Sequence, residues 1–527
     1  MHTFARSVAL ITLFAVATRG IGFLFRIVLS RILGAELLGI YQIAFSFFMV
    51  FMTIIASGLP LIISKEVAAI LTKNKNRPLY SANPRPYSTI AQVATAGLII
   101  SIAASLVIIA IIYPFQRLIY PLFTDTRSIP ILLILIPSIL AYSIYTTLRA
   151  IWWGQKKFFI LGATELIEQV ARVLIFGLLM IFAFWFTNLV QVAALSFTLA
   201  TVVSATIVVI IFLKIQKKDR AGGPKSRGMR DIPWKTTPLK PLLRSASPIT
   251  AVRALASIAL PIIAIIVPMR LVTAGWSSGD AIAHFGIAVG MTLPLLSIPQ
   301  TVISSIATAL VPDLAASRER RDKNRISTQI ISCIKFTLLI NFLLIPVFMA
   351  VGPGIGILLF ANETAGVYLA RSAWIMVPMS LSLITNAILN SLGAETRAMI
   401  HYIIGSVALF TAVWVLPQYV GVTALIIGLG VCMTIASILN LQLITRLTGT
   451  QTKAATYILA FSAISAPAIL AGLFVYGTIG HAIPQILSVP IASGIATIIL
   501  VGLAYVFNLI DFDRLLKFRR KAKSSEL

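Results

Sequence analysis

The chain has 527 residues, of which 58% are hydrophobic and only 11% are charged, and its mean hydropathy is +0.97. This composition excludes a soluble globular protein and indicates a chain that crosses a membrane many times. The formal net charge of +27 does not indicate a nucleic-acid partner, because Lys and Arg gather in polar segments between apolar runs, as they do in cytoplasmic loops.

Fourteen apolar stretches are long enough to span a bilayer, which takes about 20 residues at 1.5 Å rise. They are residues 7–33, 37–64, 88–113, 128–152, 158–184, 188–213, 248–269, 282–311, 326–350, 366–393, 398–416, 420–445, 454–477 and 483–510. With the N-terminus in the cytoplasm, Lys and Arg concentrate in every second loop and in the C-terminal tail. We therefore predict an all-α polytopic membrane protein with fourteen transmembrane helices and both termini in the cytoplasm.

A basic segment at 214–247 divides the chain, and its glycines and prolines predict a flexible linker that touches anionic lipid headgroups. A weak repeat supports the division: GIYQIAFSFF from Gly39 lines up with GIAVGMTLPL from Gly286, and the spacing to a closing Ala-Ala pair is the same in both. We predict two pseudo-symmetric six-helix lobes and two further helices. The predicted boundaries are an N-lobe at 1–213, the linker at 214–247, a C-lobe at 248–450, and helices 13 and 14 with a basic tail at 451–527.

The first apolar stretch contains Arg19 near its midpoint and Arg26 seven residues later. Seven residues make two helical turns, so both arginines share one face, about 10 Å apart along the axis. A guanidinium at the bilayer centre costs about 2.5–3.5 kcal/mol on insertion scales and normally faces a partner or a wet cavity. Arg19 therefore predicts either a polar cavity or a structural carboxylate partner, and Arg26 either a cavity ligand or a snorkelling side chain. Gly20 and Gly22 loosen the helix beside them and are predicted hinge positions.

Other spans contain few charges. Glu168 and Arg172 have the i,i+4 spacing of a structural ion pair on the fifth helix, where Glu165 also lies. Arg253, inside the seventh helix, is either a cavity residue of the C-lobe or a cytoplasmic anchor. In the second span, Gly58 and Pro60 interrupt the helix and form a second predicted hinge.

The sequence lacks the patterns that catalysis needs. Cys333 and Cys432 stand alone in apolar segments, no His, Cys, Asp or Glu cluster has metal spacing, and there is no nucleotide-binding glycine loop. We expect no catalytic residue, metal or cofactor, no nucleic-acid partner, and a monomer.

Several segments resemble the stage V sporulation protein B group of the polysaccharide-transporter family. These are TRGIGFLFRIVLSRILGAELLGIYQIA with SGLPLIISKEVA, LRAIWWGQKK with ATELIEQVARV, and SPITAVRALASIALP with PQTVISSIATALVPDLAA. The resemblance implies a two-lobed alternating-access transporter in the bacterial plasma membrane, related to lipid II flippases and multidrug extruders. It implies first-helix arginines in the central cavity, which Arg19 matches, whereas Arg26 lies one residue later than its counterpart. It also implies that helices 13 and 14 form a groove for a lipid tail.

The leading hypothesis is a flippase that moves an undecaprenyl-diphosphate-linked oligosaccharide, such as the peptidoglycan precursor lipid II, from the inner to the outer leaflet. Arg19, Arg26 and Arg253 would bind phosphate oxygens through their guanidinium forks. One alternative is a cation-coupled multidrug extruder, for which Glu165 and Glu168 are the candidate carboxylates. Another is a membrane-bound polyprenyl-phosphate glycosyltransferase, for which the Mg²⁺-binding acids are missing. A scaffold without transport would leave a buried arginine unexplained.

Overall fold

The computed structural model describes residues 2–75, 87, 89–182, 188–221, 238–320, 322–480, 482–507 and 509, and these contain helices and no strands. The first ten α-helices are α1 His2–Ala56, α2 Gly58–Lys75, α3 Ile90–Ile119, α4 Ser128–Leu135, α5 Ser138–Gly154, α6 Phe158–Ile181, α7 Leu189–Ala221, α8 Lys240–Ser257, α9 Ala259–Thr273 and α10 Ser278–Gly286. The other ten are α11 Leu293–Leu296, α12 Ile298–Glu319, α13 Lys323–Phe360, α14 Glu363–Ser372, α15 Met376–Ser391, α16 Glu395–Val415, α17 Pro417–Val420, α18 Thr423–Thr448, α19 Ala454–Ile479 and α20 Gln485–Val506. A π-helical segment, Ile287–Thr292, joins α10 to α11.

Helix boundaries follow from local capping chemistry. Thr89 and Gln92 form a capping box at the start of α3, in which each side chain accepts from the other residue's backbone N–H at 3.3 Å. The side chains of Asp322 and Asn362 each accept one backbone N–H, from Arg325 in α13 and from Ala365 in α14. Each cap satisfies one otherwise unpaired amide in the first turn of its helix.

Eleven helices in the described ranges are long and apolar enough to cross a membrane, or twelve if the bent pair α4–α5 is one span. The chain is therefore a multi-pass membrane protein. One candidate, Leu13–Leu71, covers most of the predicted span 7–33 and all of the predicted span 37–64. Helix α6 is 24 residues long but its three charged residues keep it out of the eleven. The count of fourteen stays a prediction.

Gly34 bends α1 between the first two predicted spans. Its φ of 70° and ψ of −177° lie outside the helical region, although hydrogen bonding continues on both sides. A Cβ at this position would meet no neighbour, so the backbone conformation and not a lack of space requires glycine. The predicted break near Gly58 is confirmed, because Ser57 forms a bend between α1 and α2.

The described residues form two compact units. Unit 1 extends to Val272 and includes Trp276–Gly286, and unit 2 comprises Thr273–Gly275 and residues from Ile287 onward. Packing thus groups α8 and α10 with the first helices, whereas the sequence assigns them to the C-lobe. Much of the predicted linker, residues 222–237, lies outside the described ranges. The predicted boundaries stay predictions about the repeats.

Glycines allow these close contacts in unit 1. A Cβ at Gly58 would clash with Thr250 and with the carbonyl of Ala246 on α8. A Cβ at Gly39 would clash with Ile282 on α10. Helices α8 and α10 therefore approach α1 and α2 at backbone distance, which a larger residue would prevent.

Unit 2 is organised around the long helix α13, which packs against α14, α19 and α20. Backbone contact between Gly352 and Gly366 brings α13 and α14 together. Pro353 lies just after Val351, whose φ of −118° marks a kink in α13. Helix α18 packs against α15 and α16.

Candidate functional site

The N-terminal half of α1 has three distinct faces. One packs on α6, where Phe14 contacts Phe159 and Phe25 contacts Phe176 in edge-to-face pairs with centroids 5.6 and 5.3 Å apart. A second face is apolar and exposed, as expected of a lipid-facing stripe. Its residues are Leu13, Val16, Leu24 and Val28.

Arg19 and Arg26 project from the third face, because they lie about 20° apart in helical rotation and each is more than about 100° from the centre of both other faces. Arg19 is exposed and Arg26 is half-buried. Gly20 opens onto empty space, and a Cβ at Gly22 would lie 3.5 Å from Gln169 Oε1. The helix continues unbroken through both glycines, so their role as hinges stays a prediction.

Arg26 has no carboxylate within ion-pair distance in the part of the chain that the structure describes. Its electrostatic neighbour is Tyr41, which is 8% exposed and lies later on the same helix. Tyr41 in turn is within electrostatic range of Arg172 on α6. Arg26 is thus a half-buried cation beside a phenol, and it keeps its positive charge uncompensated.

Glu168 and Arg172 form the ion pair that their i,i+4 spacing predicts, with Arg172 Nη2 donating to Glu168 Oε1 at 2.8 Å. The Arg172 side chain is 16% exposed and the Glu168 side chain is 11% exposed. The Arg172 guanidinium also lies 4.5 Å from the centre of the Phe197 ring on α7, a cation–π contact. Its charge is therefore neutralised locally.

A second ion pair, not predicted from the sequence, joins α5 to α6. Arg149 Nη2 donates to Glu165 Oε2 and to the carbonyl of Leu161, both at 3.0 Å, and the guanidinium stacks over Tyr145. The sequence does contain a signal for this pair. Arg149 lies inside an apolar stretch, and the next helix along the chain contains two glutamates. Tyr142 and Tyr145 lie beside both pairs.

This charged cluster comprises Arg26, Arg149, Glu165, Glu168 and Arg172, with three cations against two carboxylates. Both carboxylates are paired, so the excess positive charge resides on Arg26. Arg19 adds a further cation on the same face of α1. An anion is the ligand that such an arrangement favours.

Arg253 lies elsewhere in unit 1, on α8. It is exposed, and its Nη1 donates to the carbonyl of Ser57 at 3.2 Å, where the break between α1 and α2 frees that carbonyl. Gly58 and Pro60 next to it are buried, and Gly58 is needed for the approach of α8. Arg253 therefore supports a broken helix, which is compatible with either of its predicted roles.

Comparison with known proteins assigns the chain to a family. Residues 4–317 match the family described as polysaccharide biosynthesis protein. The chain belongs to that family. Stage V sporulation protein B of Bacillus subtilis (strain 168) is 22% identical over 530 residues, which cover 98% of this chain and 97% of that protein. The resemblance noted from the sequence is confirmed.

Solved structures of the same fold are transporters. A multidrug resistance MATE family transporter of the MOP superfamily in an inward-facing conformation has a TM-score of 0.63 at 17% identity, with 86% of this chain and 96% of that chain covered. A MOP superfamily transporter from Pyrococcus furiosus, described as having a binding pocket of reverse polarity, has a TM-score of 0.59 at 16% identity, with the same coverage. This member of the polysaccharide biosynthesis family thus has the MOP transporter fold.

Proposed function

We propose that this chain is an alternating-access flippase that moves an undecaprenyl-diphosphate-linked oligosaccharide, such as the peptidoglycan precursor lipid II, from the inner to the outer leaflet. The observation that carries the proposal is the uncompensated cation Arg26, two turns from Arg19 on the same face of α1. A diphosphate offers the oxygens that a guanidinium fork binds best. The family match supports a polysaccharide-related cargo.

The proposed topology has fourteen spans, in two six-helix lobes and two C-terminal helices, with both termini in the cytoplasm. Fourteen spans result from the eleven candidates in two steps. The candidate Leu13–Leu71 is divided into two spans at Gly34, and helix α6 and the bent pair α4–α5 are each added as one span. The concentration of Lys and Arg in alternate loops of the sequence supports this orientation, since these residues mark the cytoplasmic side. The proposed location is the bacterial plasma membrane, and the proposed form is a monomer among anionic lipids.

The proposed mechanism keeps the sugar-diphosphate headgroup at the arginines while the polyprenyl chain stays in lipid. An inside-negative membrane potential favours outward movement of negative charge by about 2.3 kcal/mol per charge per 100 mV. The arginines offset part of that charge in the loaded state, so the potential also acts on the return of the empty, positively charged site. Arg253 is the third proposed phosphate ligand, through the guanidinium nitrogens that do not bind Ser57.

The experiment is reconstitution of the purified chain in liposomes, followed by measurement of accessible lipid-linked oligosaccharide in the outer leaflet. A diphosphate-linked cargo is expected to flip, and a neutral glycolipid with the same sugar is not. Equal movement of both lipids, or of neither, would contradict the proposal.

Multidrug extrusion is the second candidate, favoured by the MATE neighbours and by Glu165, whose side chain is 49% exposed despite its pairing with Arg149. A carboxylate that exchanges between a cation and a drug must be accessible. Glu165→Gln would then abolish cation-dependent efflux of a cationic dye, whereas the flippase predicts no such efflux in the native protein. The transferase hypothesis gains no support, since no three His, Cys, Asp or Glu of the described ranges form a group that could hold a metal ion.

A further inference from the structure

Helices α18 and α19 are consecutive, yet each packs on other partners. Helix α18 packs on α15 and α16, and α19 packs on α13 and α20. The short connection at 449–453 joins them, with Gly449 in the left-handed region at φ 70°. The connection thus joins two helices that pack mainly on different partners.

A cavity of about 490 Å³ lies beside this connection, between the last turns of α18 and the first turn of α19. Its wall is apolar along α18, where Ile438 is 49% exposed, and polar near the connection. The lining residues are Ile438, Leu441, Gln442, Thr445, Arg446, Thr452, Lys453, Ala454 and Ala455. This volume lies within the range of small-ligand sites in proteins.

The polar end of the cavity has the positive charge and the hydrogen-bond donors that favour an anion. Arg446 and Lys453 both line it, and no acidic residue does. Thr452 is only 9% exposed, and its hydroxyl has no hydrogen-bond partner among the described residues. The N-terminus of α19, which begins at Ala454, has no side-chain cap and no acid in its first turn, so its backbone amides lack an acceptor from those sources.

Lys453 is held in an uncommon backbone conformation. Its φ of 48° and ψ of 24° place a non-glycine residue in the left-handed region, directly before the first turn of α19. Lys453 is therefore the residue that directly precedes the uncapped first turn of α19. It lines the same cavity as Arg446 and Thr452.

We propose that this cavity binds the headgroup of an anionic phospholipid. Its phosphate lies between Arg446 and Lys453 and accepts from Thr452 and the first amides of α19, while its acyl chains follow the apolar wall at Ile438 and Leu441. A membrane lipid fits better than a soluble anion, because the cavity is lined by the adjoining ends of two helices that are long and apolar enough to span a membrane. The site is separate from the arginines of α1 and does not depend on the cargo.

The test uses the full chain purified in neutral detergent, with native mass spectrometry to count retained lipids after addition of phosphatidylglycerol. The double variant Arg446→Gln/Lys453→Gln is expected to bind the tightest phosphatidylglycerol at least about tenfold more weakly. Thr452→Val, which keeps both cations, is expected to weaken it severalfold. The matched control is Arg397→Gln on α16, an exposed arginine that does not line the cavity.

Four outcomes would overturn the proposal. Undiminished phosphatidylglycerol binding by the double variant would remove the site. An equal loss in Arg397→Gln would show that binding depends only on overall charge. Displacement of the lipid by millimolar inorganic phosphate, or equal retention of zwitterionic phosphatidylcholine, would replace the anionic phospholipid with another ligand.

Discussion

Arg172 and Glu168 lie one turn apart on α6 and form an ion pair that is largely withdrawn from solvent, with 2.8 Å between Nη2 and Oε1. Arg26 on α1 has no such partner in the described ranges, although both arginines are near Tyr41. One unit thus contains a neutralised arginine and an uncompensated one. This difference supports a structural role for Arg172 and the proposed phosphate-binding role of Arg26.

The buried pair predicts a large cost when one partner is removed. Glu168→Gln leaves the Arg172 charge poorly compensated, and we expect it to lower the free energy of unfolding by about 3 kcal/mol. Replacing both residues, in Glu168→Gln/Arg172→Met, is expected to recover most of that loss. Denaturant unfolding in mixed micelles measures both effects.

An exposed ion pair in the same unit provides the control. Arg127 donates to Asp125 and Glu36, with side chains of Arg127 and Glu36 that are 47% and 43% exposed. Hydrogen bonds from Arg127 to Asp125 and Glu36 raise the pKa of Arg127, which stays protonated at any accessible pH. Glu36→Gln is expected to cost less than about 1 kcal/mol. If it costs as much as Glu168→Gln, burial does not decide the strength of these pairs.

Gly34 and Gly20 are predicted to respond in opposite ways to alanine. Gly34→Ala places a Cβ at φ 70° with an extended ψ, and should destabilise the protein by about 1–3 kcal/mol. Gly20→Ala has open space and helical geometry, and should stabilise α1 by up to about 1 kcal/mol. Thermal unfolding compares the two.

Transport by Gly20→Ala tests the predicted hinge separately. If Gly20 bends during transport, the variant will be stable but slow. Native transport rates in this variant would remove Gly20 as a hinge and leave the bend of α1 at Gly34.

Arg253 has two possible roles that one comparison distinguishes. As support for the broken helix it donates one hydrogen bond to Ser57, so Arg253→Gln should cost about 1 kcal/mol and leave transport intact. As a phosphate ligand it should lower transport at least about tenfold. The control is Arg244→Gln, an exposed arginine on the same helix, α8.

Local features of this fold were predictable, because their determinants are close in sequence. The Glu168–Arg172 spacing determines an ion pair within one helix. The break at Ser57-Gly58 likewise depends on local sequence and not on which helices pack against it. The apolar stretches likewise predict a membrane protein from composition alone.

Contacts between helices were not predictable, because hydropathy does not say which spans are neighbours. Arg149 forms an ion pair with Glu165 on the next helix. Gly39 on α1 lies in close contact with Ile282 on α10, which is far away in the sequence. The grouping of α8 and α10 with unit 1 has the same origin. The cluster around Tyr41 could not be predicted from the sequence, because a tyrosine in an apolar run does not indicate which residues surround it.

The most direct test of the central claim is the rate of diphosphate-lipid flipping by Arg19→Gln/Arg26→Gln in liposomes. The control is Arg31→Gln, which replaces an exposed arginine of α1 that is not a proposed phosphate ligand. Each variant is reconstituted at equal, verified protein density. The account predicts a loss of at least about a hundredfold in the double variant, since two charge-assisted phosphate contacts disappear, and native rates in the control. Undiminished flipping without Arg19 and Arg26 would contradict it.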